Sequence, residues 1–228
     1  MIRKIVLNLS QKAREKRAEM FRRRFAFDAS TKILDVGSET GANIDFVLKG
    51  TAVKPENVFI ADIDEAAIET GSRQFGFQKV LLDESGKLPF PDGFFDVVYC
   101  SSVIEHVTVG KDEMWELTDG KIFRERAWTR QKIFAAELRR VGKAYFVQTP
   151  NRNFVIESHS WLPLVGSFPR PWFVRTIKIS NRFWIKQTIP DYNLLDKNEM
   201  KELFPDAEIV AETKFGLTKS IIAIKNLR

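Results

Sequence analysis

The chain has 228 residues, 44% of them apolar and 29% charged, with a net charge of +6 at pH 7. That length can bury a sizeable core, most economically as one α/β domain with additions. No apolar run approaches the ~20 residues that span a bilayer, no secretory cleavage site follows the N-terminus, and a lone Cys100 excludes both a disulfide framework and a cysteine-based zinc site.

Residues 1–29 form a basic arm, with nine Lys/Arg against two Glu in the first 24 positions. Read as a helix from Ser10, it places Ala13, Met20 and Phe21 near one face and basic residues on the rest. It is expected to pack on the domain that follows, residues 30–228, and to offer its wet face to anionic partners. Then "KILDVG" predicts a first strand, "NIDFVLKG" a helix, "NVFIADI" a second strand, "DEAAIETGSRQF" a helix and "KVLL" a third strand. "FDVVYCSS" predicts a fourth strand, "WTRQKIFAAELRRV" the long part of a two-part helix, and "KAYFVQTPN" a fifth strand. Continuous apolar runs alternating with helices predict a doubly wound, mostly parallel sheet. "AEIVAETKF" and "TKSIIAIKN", separated by Gly216 and its neighbours, predict a closing hairpin that makes the sheet seven-stranded with an antiparallel C-terminal edge strand. Residues 151–192 fit neither sheet nor regular helix. They hold four of the nine prolines and three of the five tryptophans, with five Lys/Arg and no acid between Trp161 and Pro190. This segment is expected to be an insertion that walls the acceptor site.

The turn after the first strand, "DVGSETG", carries the functional argument. A dinucleotide loop needs a glycine where Glu39 stands, because the backbone must approach a pyrophosphate and a carboxylate there repels it. A phosphate loop of the G-K-S/T type is absent as well. A glycine turn flanked by Asp35 and Glu39 suits a ligand with positive charge and no phosphate. Asp62, at the end of the second strand, is placed to take the two hydroxyls of a ribose, and Asp83 and Glu84 follow the third strand within reach of an adenine edge. S-adenosylmethionine has these features.

The chain resembles the class I S-adenosylmethionine-dependent methyltransferases, in the branch that includes ubiquinone and menaquinone methyltransferases. The resemblance rests on Asp35-Val36-Gly37-Ser38-Glu39-Thr40-Gly41, on the acid in "IADIDEAAI", and on "LPFPDGFFDVVYCSSVIEHV" at residues 88–107. It implies a Rossmann-like methyltransferase fold and S-adenosylmethionine as cofactor. By the same resemblance Asp35, Gly37, Ser38 and Gly41 line the methionine end, and Asp62 binds the ribose. Ile63 packs on the adenine, Asp83 or Glu84 meets its amino group, and Ser101 lies beside the transferred methyl. Ser102 is expected to cap the next helix.

A hydroxyl acceptor needs a base, and histidine has the suitable pKa. His106 and His159, each just beyond a strand end, are expected to converge there as catalytic groups, with no metal. The expected acceptor is a small molecule, a glycan or a lipid-linked compound, methylated on oxygen. Aromatic and basic residues in the insertion suit an apolar acceptor with an anionic part, and they allow peripheral contact with an anionic membrane. Nucleic acid is not expected as a partner, because a D/N-P-P-aromatic run is absent after the fourth strand. A cytoplasmic setting follows from cysteine usage. A second reading is a cofactor-binding but catalytically silent partner of another methyltransferase.

Overall fold

The computed structural model describes residues 2–83, 85–157, 159–214 and 216–226, with side chains left out for residues 2–10 and Ser167. Seven strands form one sheet: β1 (Ile33–Val36), β2 (Val58–Asp62), β3 (Gln78–Leu81), β4 (Phe95–Ser101), β5 (Gly142–Pro150), β6 (Glu208–Lys214) and β7 (Leu217–Lys225). Their spatial order is β3-β2-β1-β4-β5-β7-β6. The first five strands pair in parallel, and β7 runs antiparallel to both β5 and β6. The hairpin thus closes the sheet with its antiparallel member one place in from the edge and β6 outermost.

Among the described residues six α-helices accompany the strands: α1 (Ile2–Arg24), α2 (Ala42–Leu48), α3 (Glu65–Phe75), α4 (Gly120–Val141), α5 (Arg170–Ser180) and α6 (Lys197–Leu203). Successive residues of each central strand feed opposite cores, which is why the strands lack a polar face. Leu34, Val98 and Cys100 pack with Phe134 and Leu138 of α4 and Met200 of α6. Ile33, Val97 and Tyr99 pack on the other face with Phe21 of α1, Ile44 of α2 and Ile68 of α3. Phe21 is fully buried, edge-on to Tyr99 at 5.1 Å and to Phe146 at 5.5 Å. The basic arm therefore supplies part of the second core, and its helix starts at Ile2, eight residues before Ser10.

Local chemistry sets the helix ends. The Asp64 side chain accepts from the Ala67 N–H and starts α3, and Asp119 accepts from the Lys121 and Ile122 N–H groups at the start of α4. α6 opens with a full capping box, Asp196 with Glu199.

The insertion departs from expectation by holding α5. Pro171 in its first turn is compatible with a helix start, and Phe173, Val174 and Ile177 pack with Val165, Tyr192 and Leu194 in a small core of their own. The buried Arg170 fastens this segment to the loop before α4. Its Nε donates to the Leu117 carbonyl (2.6 Å), and its Nη2 donates to the Met114 (2.9 Å) and Pro190 (3.2 Å) carbonyls. The guanidinium also lies over the Phe123 ring. No helix among the described residues is long and apolar enough to cross a membrane.

Candidate functional site

The strand order reverses direction between β1 and β4, because the chain winds outward one way through β2 and β3 and the other way through β4 and β5. Open α/β sheets bind ligands in the crevice that this reversal leaves at the carboxyl ends of the strands. Gly37 follows β1 there, and Ser102 and Val103 follow β4.

The turn after β1 is backbone-driven. Gly37 has φ +70°, and a Cβ at that position would lie 2.3 Å from Val103 Cγ2. Gly41 has φ +74° and opens α2. Glu39 holds φ +49°, the left-handed region an L residue enters only at a cost. The chain keeps a glycine-type turn there although a glutamate occupies it. Its N–H donates to Asp62 Oδ2 at 2.8 Å, and the Asp64 N–H donates to Asp62 Oδ1 at 3.1 Å. The Asp62 carboxylate is thereby fixed, with lone pairs still open toward the crevice.

Below the turn lies Asp35, 3% exposed, and among the described residues its Oδ2 has no hydrogen-bond partner. Burial, with Asp62 adding to it, pushes the Asp35 carboxyl well above its ordinary range. A cationic ligand at this turn would favour the ionised form of that carboxyl.

A cavity of about 360 Å³ fills the crevice. Gly37, Glu39, Asp62, Ile63 and Asp83 line one side of it, and Ser102, Val103, His106, Met114 and Asp191 line the other. Of the residues expected at the site, Asp35, Ser38, Gly41 and Ser101 stand behind this wall. Ser38 is buried and turns its hydroxyl toward the Ala61 carbonyl. Ser101 does not line the cavity; its hydroxyl donates to Gln148 Oε1 (2.8 Å), which also receives Arg17 Nη1 from α1 (2.7 Å). Ser102 takes the place at the cavity and caps no helix, its hydroxyl bonding Gln148 instead. Asp83 lines the cavity, and Glu84 lies outside the described residues.

The far wall joins three segments. A 3-10 turn at Ile104–His106 follows β4, and residues 191–193 are stitched to it by Asn193 N–H to the Glu105 carbonyl (2.8 Å) and by Gln131 Nε2 to the Ile104 and Asn193 carbonyls (2.9 and 3.0 Å). The third segment is the loop carrying His159. The two histidines converge as expected, with ring centroids 4.7 Å apart, but their settings differ. His106 reaches the cavity, with Nδ1 3.1 Å from Asp191 Oδ2. His159 sits behind it, stacked on Tyr192, with Nδ1 2.8 Å from Glu157 Oε1 and Nε2 3.7 Å from Glu105 Oε1. Burial opposes charging His159, but the two carboxylates outweigh it and push its pKa up to about 9. Burial likewise opposes the Glu157 charge, and His159 outweighs it, holding that carboxyl down at about 2. His159 is thus held between two buried acids.

Asp191, Glu157, Val103 and Met114 are site residues that sequence reasoning missed. Asp191 and Glu157 are the acids that bracket the acid-free stretch of the insertion, and that position is the one signal in the sequence that could have found them. Val103 and Met114 carry no signal of their own, being ordinary apolar residues.

A family model described as a methyltransferase domain matches residues 34–119, from β1 through the loop before α4. No curated protein sequence matches the chain. Among solved structures, the PH0226 protein from Pyrococcus horikoshii OT3 is 17% identical and superposes with a TM-score of 0.55, covering 96% of this chain and 91% of that one. Magnesium protoporphyrin IX methyltransferase (ChlM) from Synechocystis PCC 6803, with bound SAH, is 12% identical with a TM-score of 0.53, covering 95% and 84%. At these identities the superpositions show a shared fold.

Proposed function

We propose that this chain, in which the methyltransferase-domain family model matches residues 34–119, is a class I S-adenosylmethionine-dependent methyltransferase, and that it methylates a hydroxyl oxygen of a partly apolar, anionic acceptor such as a glycan, lipid-linked compound or small molecule. The observation that carries the proposal is one continuous cavity with the β1 turn and Asp62 on one side and His106 on the other. In this reading Asp62 accepts from both ribose hydroxyls, Ile63 covers one adenine face, and Asp83 accepts from the adenine amino group. The Gly37 backbone gives close approach, while Asp35 and Glu39 supply negative potential at the methionine end. Ser38, Gly41 and Ser101 shape this end from behind the wall. When bound, S-adenosylmethionine supplies a methyl on a sulfonium, whose C–S bond breaks as the O–C bond forms and leaves a neutral thioether.

The rest of the task belongs to the protein. It must align the acceptor oxygen with the methyl, exclude water and remove the hydroxyl proton. Alignment is worth roughly 7 to 11 kcal/mol. His106, with Asp191 holding its Nδ1, is the group that meets the hydroxyl, and His159 acts through position. His106→Gln is expected to lower kcat with a hydroxyl acceptor by about 10²-fold or more while leaving S-adenosylhomocysteine binding unchanged. Equal turnover by the variant would remove His106 from the reaction.

Glu39 gives a sharper check on the charge argument. The cofactor carries a sulfonium that the product lacks, so a carboxylate at the methionine end favours the former. Glu39→Gln is expected to weaken S-adenosylmethionine about two- to threefold, in line with a partly solvated charge, and S-adenosylhomocysteine less. Calorimetric titration with both ligands reads the difference; equal losses would place Glu39 away from the sulfur.

The insertion supports a membrane-delivered acceptor. Nine of the fifteen exposed large apolar side chains among the described residues fall between Val155 and Ile189, including Trp172 at 63% and Phe183 at 73% exposure. The same stretch holds Arg175, Lys178 and Arg182 and no acid after Glu157. Apolar tips among cations suit the interface of an anionic bilayer. The protein is expected to sediment with phosphatidylglycerol vesicles, less so in high salt, and little in the Trp172→Ser/Phe183→Ser variant. Wild type that stays in the supernatant would end this part of the proposal.

A further inference from the structure

The far wall holds more negative charge than the mechanism uses. Glu105 is fully buried, and its Oε2 accepts from the Thr149 hydroxyl at 3.0 Å. Among the described residues its Oε1 has no hydrogen-bond partner, 3.7 Å from His159 Nε2. An unpartnered carboxylate oxygen inside a protein is costly. Glu157 is 3% exposed and lies on the far side of His159, and the Asp191 carboxylate lies against His106. Three carboxylates thus converge on two imidazoles, with Arg170 acting on Asp191 and Lys186 on Glu157 from outside the cluster.

The geometry of the rings is also specific. Each histidine has Nδ1 directed at a carboxylate, His106 at Asp191 and His159 at Glu157. That contact fixes the ring and leaves Nε2 as the coordinating nitrogen, which is how metal-binding histidines are oriented by an outer carboxylate. One ligand atom from each of Glu105, His106 and His159 falls within 4.8 Å of the others. Bonds of 2.0 to 2.2 Å require ligand atoms no more than about 4 Å apart, so the rings need move by less than an ångström. His106 faces the cavity, and coordination positions on that side would remain for water or substrate.

We propose that Glu105, His106 and His159 bind one divalent cation of the imidazole-preferring class, Mn²⁺ or Zn²⁺, at the acceptor end of the cavity. Two imidazoles and one carboxylate with open positions suit these ions better than Mg²⁺, which prefers oxygen ligands and retains its waters. The site stands on its own geometry. Its role rests on the methyl-transfer reading and replaces proton removal by His106, whose Nε2 is then a ligand: a cation there binds the acceptor hydroxyl, lowers its pKa and lets the proton pass to water. Glu157 and Asp191 hold the two ligand rings and touch neither cation nor acceptor, so they are positioning residues.

The test uses the full-length protein without a histidine tag, stripped with chelator and titrated with Mn²⁺ while the free ion is followed by electron paramagnetic resonance. One Mn²⁺ per chain is expected, displaced by Zn²⁺ and not by equimolar Mg²⁺. Binding should weaken at least about tenfold in His106→Gln, in His159→Gln and in the isosteric Glu105→Gln. Calorimetric binding of S-adenosylhomocysteine, measured on each variant, reports whether the fold and the cofactor end remain intact. Intact cofactor binding with no Mn²⁺ or Zn²⁺ uptake by the wild type overturns the metal site and leaves the methyltransferase reading standing. Uptake unchanged in His106→Gln and His159→Gln overturns it equally, because the ion would then sit elsewhere. If His159→Gln fails to fold, His106→Gln decides alone, since that ring is partly exposed and borders the cavity.

Discussion

Asp62→Ala is expected to weaken S-adenosylhomocysteine binding by about 10²- to 10⁴-fold. A hydrogen bond to a charged partner contributes about 1.5–3 kcal/mol, and a carboxylate that accepts from both ribose hydroxyls loses two of them, at 1.4 kcal/mol per tenfold. The substitution also removes the acceptor for the Glu39 N–H at 2.8 Å, so the β1 turn loses the contact that ties it to the end of β2. Asp62→Asn separates these contributions. It retains one carbonyl oxygen and should fall between wild type and alanine. Calorimetric titration of the three proteins is the measurement. Wild-type affinity in Asp62→Ala would move the ribose away from β2 and dismantle the cofactor assignment from its best-supported residue.

Gly37→Ala should cost stability as well as binding. Its methyl would meet Val103 Cγ2 at 2.3 Å and Cγ1 at 2.8 Å, and the backbone holds φ +70°. The left-handed conformation costs an L residue roughly 1–2 kcal/mol, and overpacking adds about 1–3 kcal/mol. A total of about 2–5 kcal/mol lowers the Tm of a domain this size by about 5–15 °C. Gly37→Ala/Val103→Ala resolves the two causes, because the smaller partner removes the clash and leaves the backbone penalty. Thermal unfolding followed by circular dichroism gives both shifts. A Tm unchanged in Gly37→Ala would mean that the turn relaxes freely, and the close approach of β1 and β4 would then have no structural weight.

Each partial success of the sequence has a local physical origin. The strands were legible because both faces of the sheet are covered, which turns β1, β4 and β5 into nearly unbroken apolar runs. The β1 turn was legible because glycine spacing reports backbone geometry directly. α5 was hidden because Arg170 and Pro171 open it and its exposed face carries Trp172 and Ile179, which blurs the amphipathic period. α6 went unread although Asp196 and Glu199 spell a capping box, its seven residues being too few for a periodicity argument. Ser101 and Ser102 differ by one residue, and no sequence rule fixes where β4 ends: in the structure Ser101 is its last residue and Ser102 turns out of it at φ +60°, reaching the cavity while both hydroxyls share Gln148 Oε1.

The division between the two levels follows from the range of the interactions. The sequence by itself determined the doubly wound sheet, the glycine turn after β1 and the acid that ends β2, because apolar periodicity, glycine placement and the sign of a side chain act within a few residues. The tertiary structure alone decided the rest. It buried Phe21 of the basic arm between Tyr99 and Phe146, and it brought Glu157 and Asp191 from either end of the insertion onto two histidines that lie 53 positions apart. Those charges meet only after the insertion folds back over the strand ends. The chemistry of the acceptor wall is thus set by contacts between segments that carry no mark of one another in the sequence.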